Sequence, residues 1–542
     1  MTLVVFLHLS MRLDGEEGVW MRMKSCKEVE RLLSGKFGHM LARMAAWRSL
    51  VPVSWRLCCR EVSSTQKIGH ENGQYFATRR WYSQPWTAPY DAGQPTSESH
   101  PQMLSGDELF PGISLRDFKE RRTALRSRLP TESMVILSAA SVKQMTDVVP
   151  YPFRQDADYL YYTGSQQPEG IAVLYDDADL CMFMPNWDPE RETWNGKLAG
   201  PDEASRVFGA DVTHSLRRLR KVLPDIIRRA KTVFCDLGSL TPVVAELEAF
   251  QSALQQGRVR SLNRYSHQQR WVKSPSELNL MREAASITCK AVKRSMQASR
   301  AWQHEHLLAA TVEYECKRRG AQQMAFPSVV GGGANGSIVH YSRHDKKIDN
   351  EALVLMDVGC EYHGYVSDMT RTWPPCGYFT DAKKQVYTII LDVMKECFKM
   401  CRPGVTLSQI HSRSVALLWE GLLKLGLVTG PFDLFKFYSF NRTQIGHYLG
   451  MDVHDCSTVS LDRPLQPGVV ITIEPGLYIP AKQTIPEKFR GIGIRIEDEV
   501  LITATGYEIL TAEAPKEIEE IEQFLAQSPN DNDLTEKPSL FC

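Results

Sequence analysis

The stretch LVLMDVGCEYHGYVSDMTRTW, residues 353–373, poses the fold problem. An apolar strand runs into Asp357, a short Glu-Tyr-His-Gly turn follows, and an alternating strand returns through Asp368. That is the pattern of a β-hairpin. With the turn centred on Tyr362 and His363, Asp357 and Asp368 lie opposite each other on one face. Two carboxylates on a buried face repel, and both resist ionisation unless a cation sits between them.

The same device recurs downstream. In GVVITIEPGLYIP (468–480) and FRGIGIRIEDEVLIT (489–503), Glu474 and Glu497 fall in apolar strands joined by a longer turn, giving a second acid pair. One acid in a strand is ordinarily a surface or salt-bridged residue. Two hairpins that each place acids among valines and isoleucines need a different reason, because an unpaired buried charge is costly. Four carboxylates carry the charge that two divalent ions would cancel. Oxygen-rich ligation completed by one imidazole suits Mn²⁺, or Co²⁺ or Zn²⁺, better than a closed structural zinc site.

The missing imidazole is found in QIGHYLGMDVHD (444–455), where His447 follows Gly446 and His454 lies seven positions on. A histidine on an apolar face is usually a core residue, but a preceding glycine allows close backbone approach.

Taken in order, Asp357, Asp368, His447, Glu474 and Glu497 resemble the ligand set of the dinuclear-metal pita-bread peptidases: aminopeptidase P, prolidase and methionine aminopeptidase. The contexts VVGGGANGSIVHY, MDVGCEYHGYVSDMTRTWP, GHYLGMDVHD, ITIEPGLYIP and RGIGIRIEDE look most like the aminopeptidase P family, in its mitochondrial Xaa-Pro aminopeptidase form. YPFRQDADYLYYTG (151–164) matches that family's amino-terminal domain, and the likeness runs from about residue 105 to 525.

The resemblance implies roles. Asp357 would chelate one metal, Asp368 and Glu497 would bridge both, and His447 and Glu474 would complete the ligation around a shared hydroxide. Glu474 would also act as general base. His340 and His454 would hold the scissile carbonyl or the leaving proline nitrogen, and Arg495 would support the ligand carboxylates from behind. The expected activity is release of the first residue from peptides with proline in second position. A prolidase-like dipeptidase and a catalytically weakened interaction module are the alternatives.

One segment departs from the family. Its members carry a histidine four residues before the ligand histidine, where this chain has Thr443, and residues 432–444 (FDLFKFYSFNRTQ) do not look like the family. The match resumes abruptly at Ile445, as an altered splice junction or gene model would produce. The metal ligands remain complete, so metal binding is expected to survive with activity weakened.

Upstream, Lys273-Ser274-Pro275-Ser276-Glu277 reads as a helix start, with Ser274 as cap, Pro275 in the first turn and Glu277 closing a capping box. Between about 105 and 265, helical runs such as 115–129 alternate with apolar strands such as 134–140 and 170–177, an α/β pattern. Residues 151–164 read locally as a half-buried strand with a salt bridge. The expectation is therefore an α/β amino-terminal domain (105–270) followed by an α+β pita-bread catalytic domain (271–526).

Residues 1–104 form an amino-terminal extension. From Lys36 to Arg80, eight Lys or Arg stand against Glu61 and Glu71, the composition of a mitochondrial transit peptide. Arg80-Trp81-Tyr82-Ser83 resembles a matrix-protease site, and Met40 or Met44 would start a shorter, cytosolic product. Residues 84–104 read as a linker, EIEEIEQFL (517–525) as a closing helix, and 527–542 as a disordered tail.

The totals exclude other classes. Net charge is zero, so the broad basic field of a nucleic-acid binder is absent. No apolar run is long enough to span a membrane. The 13 cysteines match no zinc or redox spacing and read as reduced thiols. Gly331–Gly333 belongs to no GxxxxGK[ST] loop, and His304 and His306 fall on different helix faces, as solvated surface residues. The oligomeric state is not written in the sequence, with which a homodimer is compatible.

Overall fold

The computed structural model describes residues 91–301 and 303–527. The basic stretch 36–80, the site at 80–83 and the tail 528–542 lie outside them.

The amino-terminal domain is built on a mixed six-stranded sheet. Its order is Val259–Ser261, Thr232–Cys235, Ser133–Ser138, Ile171–Tyr175, Ala178–Met184 and Val212–Ser215. Its central strands are apolar throughout because both faces are covered. Met134 and Ile136 pack with Leu223, Ile227 and Phe250 on one side. Val135 and Leu137 pack with Phe118 and Tyr159 on the other.

Residues 151–164 are not a strand. They run as a loop into the helix Ala157–Thr163, capped by Asp156, which accepts from the Tyr159 amide, and closed by Gly164 at φ 73°. All seven helical residues are buried, so no amphipathic period betrays the helix. The expected salt bridge is present: Arg154 Nε lies 2.7 Å from Glu361 Oε2. Residues 91–104 also differ from the linker expected. Ala92 and Leu104 are buried, and Gln94 donates to the Gly164 carbonyl while accepting from the Gln166 amide.

The rest of the chain repeats one order twice, two helices and then an antiparallel sheet. Helices Pro275–Ala298 and Glu305–Lys317 precede the strands Val329–Gly332, Val354–Val358 and Met369–Trp373. Helices Asp381–Met400 and Leu407–Lys424 precede Val470–Ile473, Asp498–Ile502 and Tyr507–Ile509. One core unites both halves, including Val292, Val312, Met356, Ile390, Leu422 and Ile471. The capping box at Ser274 forms as read, with Pro275 in the first turn. The two sheets meet where the Glu497 amide donates to the Thr370 carbonyl and the Thr372 hydroxyl to the Arg495 carbonyl.

The first hairpin has a different register from the one expected. Tyr362 pairs with Tyr365 and Asp357 with Thr370. The turn is His363-Gly364, with φ of 48° and 78°. Two positive φ values give the hairpin turn whose twist matches that of its strands, and glycine at the second position allows it. A displacement of two positions preserves the face, so Asp368 lies diagonal to Asp357 on the same side. His304 is likewise not within a helix: it precedes Glu305 as the cap residue, its ring centroid 5.4 Å from that of His306, and both are exposed.

Candidate active site

The second acid pair sits where both of its strands are interrupted. Ile473 pairs with Asp498 and Gly476 with Arg495, so the unbroken register sets Glu474 opposite Glu497. Residues 445–449 run antiparallel beside Val470–Ile473: the Glu474 amide donates to the Ile445 carbonyl, the Thr472 amide to His447 and the Leu449 amide to Val470. Gly446 is required there, because a Cβ would overlap the Thr472 carbonyl oxygen.

This brings the imidazole to the acids. His447 Nε2 lies 3.3 Å from Asp368 Oδ2 and 3.6 Å from Glu474 Oε1. Its Nδ1 lies 3.1 Å from the Tyr448 carbonyl, which can only accept, so Nδ1 is the donor there and Nε2 is the ring nitrogen turned toward the acids. Ligand atoms of Asp368, His447 and Glu497 lie within 4.8 Å of one another.

All eight residues singled out from the sequence line one cavity of about 810 Å³. Asp357, Asp368, Arg495 and Glu497 are buried, His447 and Glu474 partly so, and His340 and His454 are exposed. The rings of His447 and His454 meet edge-on, with centroids 4.4 Å apart. Thr443 also lines the cavity, its hydroxyl buried without a partner among the described residues.

The electrostatics are those of an acid cluster without its counter-charge. Burial, then the Asp357 and Glu474 carboxylates, push the Asp368 carboxyl well above the usual range. Burial and Asp368 do the same to Glu497, and burial raises Glu474 against the pull of His447 and Arg495. Burial lowers His454, helped by its histidine neighbours. Asp357 Oδ1 is buried with no hydrogen-bond partner among the described residues. A bare buried oxygen among mutually repelling carboxylates, beside an imidazole nitrogen, fits divalent metal ligation.

Sequence reasoning missed the residues behind the acids. Thr370 donates to Glu497 Oε2 at 2.7 Å and accepts from Arg495 Nε at 2.9 Å. Tyr478 accepts from Arg495 Nη1 at 2.6 Å. The Asp368 amide donates to Glu499, itself buried. The signal for Thr370 is its place opposite Asp357 once the register is known. Tyr478 carries none, since its partner is in another strand.

Fold and site together define a metal-dependent peptidase, and comparison with known proteins gives the family. Residues 279–504 match Metallopeptidase family M24 and residues 118–234 match the Aminopeptidase P, N-terminal domain. Intermediate cleaving peptidase 55, mitochondrial, of Arabidopsis thaliana is 51% identical over 452 residues, covering 83% of this chain and 91% of that one. Xaa-Pro aminopeptidase 3 of Homo sapiens is 36% identical over 462 residues, covering 80% and 91%. Among solved structures, aminopeptidase P from Escherichia coli with the inhibitor Pro-Leu superposes with a TM-score of 0.71 at 33% identity, covering 76% of this chain and 98% of its own. The chain belongs to the M24 metallopeptidases, in the branch that carries an aminopeptidase P amino-terminal domain.

Proposed function

We propose that the protein is a dinuclear-metal Xaa-Pro aminopeptidase, releasing the first residue from peptides with proline in second position. The observation that carries this reading is the convergence of Asp357, Asp368, His447, Glu474 and Glu497 on one cavity, with a bare buried oxygen on Asp357 and two histidines exposed at the cavity wall. Two divalent ions bound by these five residues would activate a shared water and polarise the scissile carbonyl. We take Mn²⁺ as the resident metal, with Co²⁺ and Zn²⁺ as competitors, because the donors are mainly oxygen.

The chain's own residues supply the rest. Glu474, whose carboxyl is raised by burial, is placed to take a proton from the attacking water and pass it on to the leaving nitrogen. His340 and His454 reach substrate atoms from the cavity wall. Arg495 holds Asp357 in place through its Nη2. An Xaa-Pro bond has no N–H to grip, so a site that anchors the free amino terminus suits it.

The test is release of the first residue from Xaa-Pro-Yaa and Xaa-Pro by chelated protein re-supplied with Mn²⁺. Turnover of the tripeptide supports the reading. Turnover of the dipeptide alone makes it a prolidase, and turnover of neither with metal bound leaves an interaction module. The presence of all five ligand residues argues against the module.

A second reading follows from the Arabidopsis relative's name: the substrate is the amino terminus of a mitochondrial protein intermediate, in keeping with the basic stretch 36–80. Comparing longer peptides with and without proline in second position separates the two. Mitochondrial import, a shorter cytosolic product from Met40 or Met44, and a homodimer complete the proposal. Cell fractionation and light scattering test them.

A further inference from the structure

A buried charge cluster lies behind the metal cavity, centred on Arg270, which is 3% exposed. Its Nη1 lies 2.7 Å from Asp158 Oδ1, and its Nη2 lies 2.7 Å from Asp452 Oδ2 and 2.5 Å from Asp455 Oδ1. Lys273 Nζ lies 3.5 Å from the other oxygen of Asp455, and Arg154 Nη1 3.0 Å from the other oxygen of Asp452. Three cations thus meet three carboxylates, two of which flank His454 in the chain.

The loop that carries His454 has few backbone bonds besides these ion pairs: the Gly450 amide donates to the Asp452 carbonyl and the Val459 amide to the Cys456 carbonyl. Residues 452–456 belong to no helix or strand, and the Asp455 amide makes one backbone bond, to the Tyr448 carbonyl. Directly after Asp455 the chain turns through Cys456 at φ 52°, a conformation uncommon for residues other than glycine. Gly450 leaves room for this packing, since a Cβ there would overlap the Asp455 carboxylate and crowd the Lys273 side chain. Buried ion pairs contribute little net stability, and in some proteins they serve to fix a geometry instead. Asp158 lies in the helix Ala157–Thr163, so the same guanidinium ties the loop to the amino-terminal domain.

We propose that Arg270 is a positioning residue for the reaction, holding the His454 loop through Asp452 and Asp455 and anchoring it to the amino-terminal domain through Asp158. The inference rests on the assignment of His454 to the substrate under the proposed function.

The test uses the full-length, metal-loaded protein and a double-mutant cycle of Arg270→Met with His454→Ala. Arg270→Met is expected to lower kcat on an Xaa-Pro-Yaa tripeptide by about 10- to 100-fold, with metal content unchanged. In the His454→Ala background the same change should cost less than about twofold, because residues acting as one unit are not additive. Equal losses in both backgrounds, or a kcat within twofold of the parent, overturn the proposal. If Arg270→Met does not fold, the isosteric Asp455→Asn takes its place in the cycle with the same expectations. A parent protein without turnover overturns the proposed activity rather than the clamp. The clamp is then read from a crystal structure of Asp455→Asn, where a displaced His454 ring supports it and an unmoved ring overturns it.

Discussion

Arg495 and Asp357 form a one-sided pair: the guanidinium donates to Oδ2 at 2.5 Å, while Oδ1 stays buried and unpartnered. The arginine fixes the carboxylate through one oxygen and leaves the other uncommitted. Its other nitrogens are committed to Thr370 and Tyr478, so the fork has one orientation.

Replacing Arg495 by Lys is therefore expected to fail as a conservative change. A lysine reaches one of the three acceptors and leaves two buried hydroxyls to rearrange. We expect kcat/KM to fall by about 10- to 100-fold, with weaker metal retention on dialysis. Full activity in Arg495→Lys would show that charge alone suffices and that the fork is idle.

The pH dependence follows from the raised carboxyls. In the chelated protein, Asp368 and Glu497 sit well above the usual carboxylate range through burial and mutual repulsion. An acid whose folded pKa is raised contributes stability below its ordinary pKa, and that stability is lost as pH rises through the raised value. From about pH 4 upward the chelated protein should lose stability from these groups. Metal binding takes the deprotonated ligands, so its contribution grows over the same range. The Tm difference between Mn²⁺-loaded and chelated protein should therefore widen between about pH 5 and pH 8. A constant or narrowing gap would count against these two carboxyls as ligands.

Gly446 offers a steric test. Alanine there would drive a Cβ into the Thr472 carbonyl oxygen, which belongs to the strand that the His447 segment pairs with. The segment has to move away from the sheet, carrying His447 with it. We expect Gly446→Ala to lower metal affinity more than about tenfold and to lower Tm as well. Metal titration of a variant that still folds reads this directly, and unchanged affinity would mean that the segment shifts without moving the imidazole.

Much of this site was legible because its chemistry is local. Acids in apolar strands are conspicuous, and a hairpin misjudged by two positions still puts Asp357 and Asp368 on one face. The sign that would have corrected the register was Gly364, since a turn with positive φ at both central residues wants glycine second. The helix Ala157–Thr163 escaped for the opposite reason: buried on every side, it shows no amphipathic period, although Asp156 and Gly164 mark its ends. The partners of Arg270 and Arg495 lie in distant parts of the chain, where no local pattern can place them.

Thr443 stands where the family resemblance implies a histidine, and its replacement tests what that position contributes to activity. Its side chain lies on the cavity wall four residues before His447, its hydroxyl buried with no partner among the described residues. An imidazole at this position would add a hydrogen-bonding group beside the proposed metal ligands, as the family resemblance implies. We expect Thr443→His to raise kcat/KM by about tenfold or more at unchanged metal content. Thr443→Val, which removes a hydroxyl without a bonding partner, should stay within about twofold of the parent. The two variants together separate the explanations: no gain from histidine combined with a loss from valine would mean that the Thr443 hydroxyl itself works on the substrate, and that the segment 432–444 is an adaptation rather than a defect.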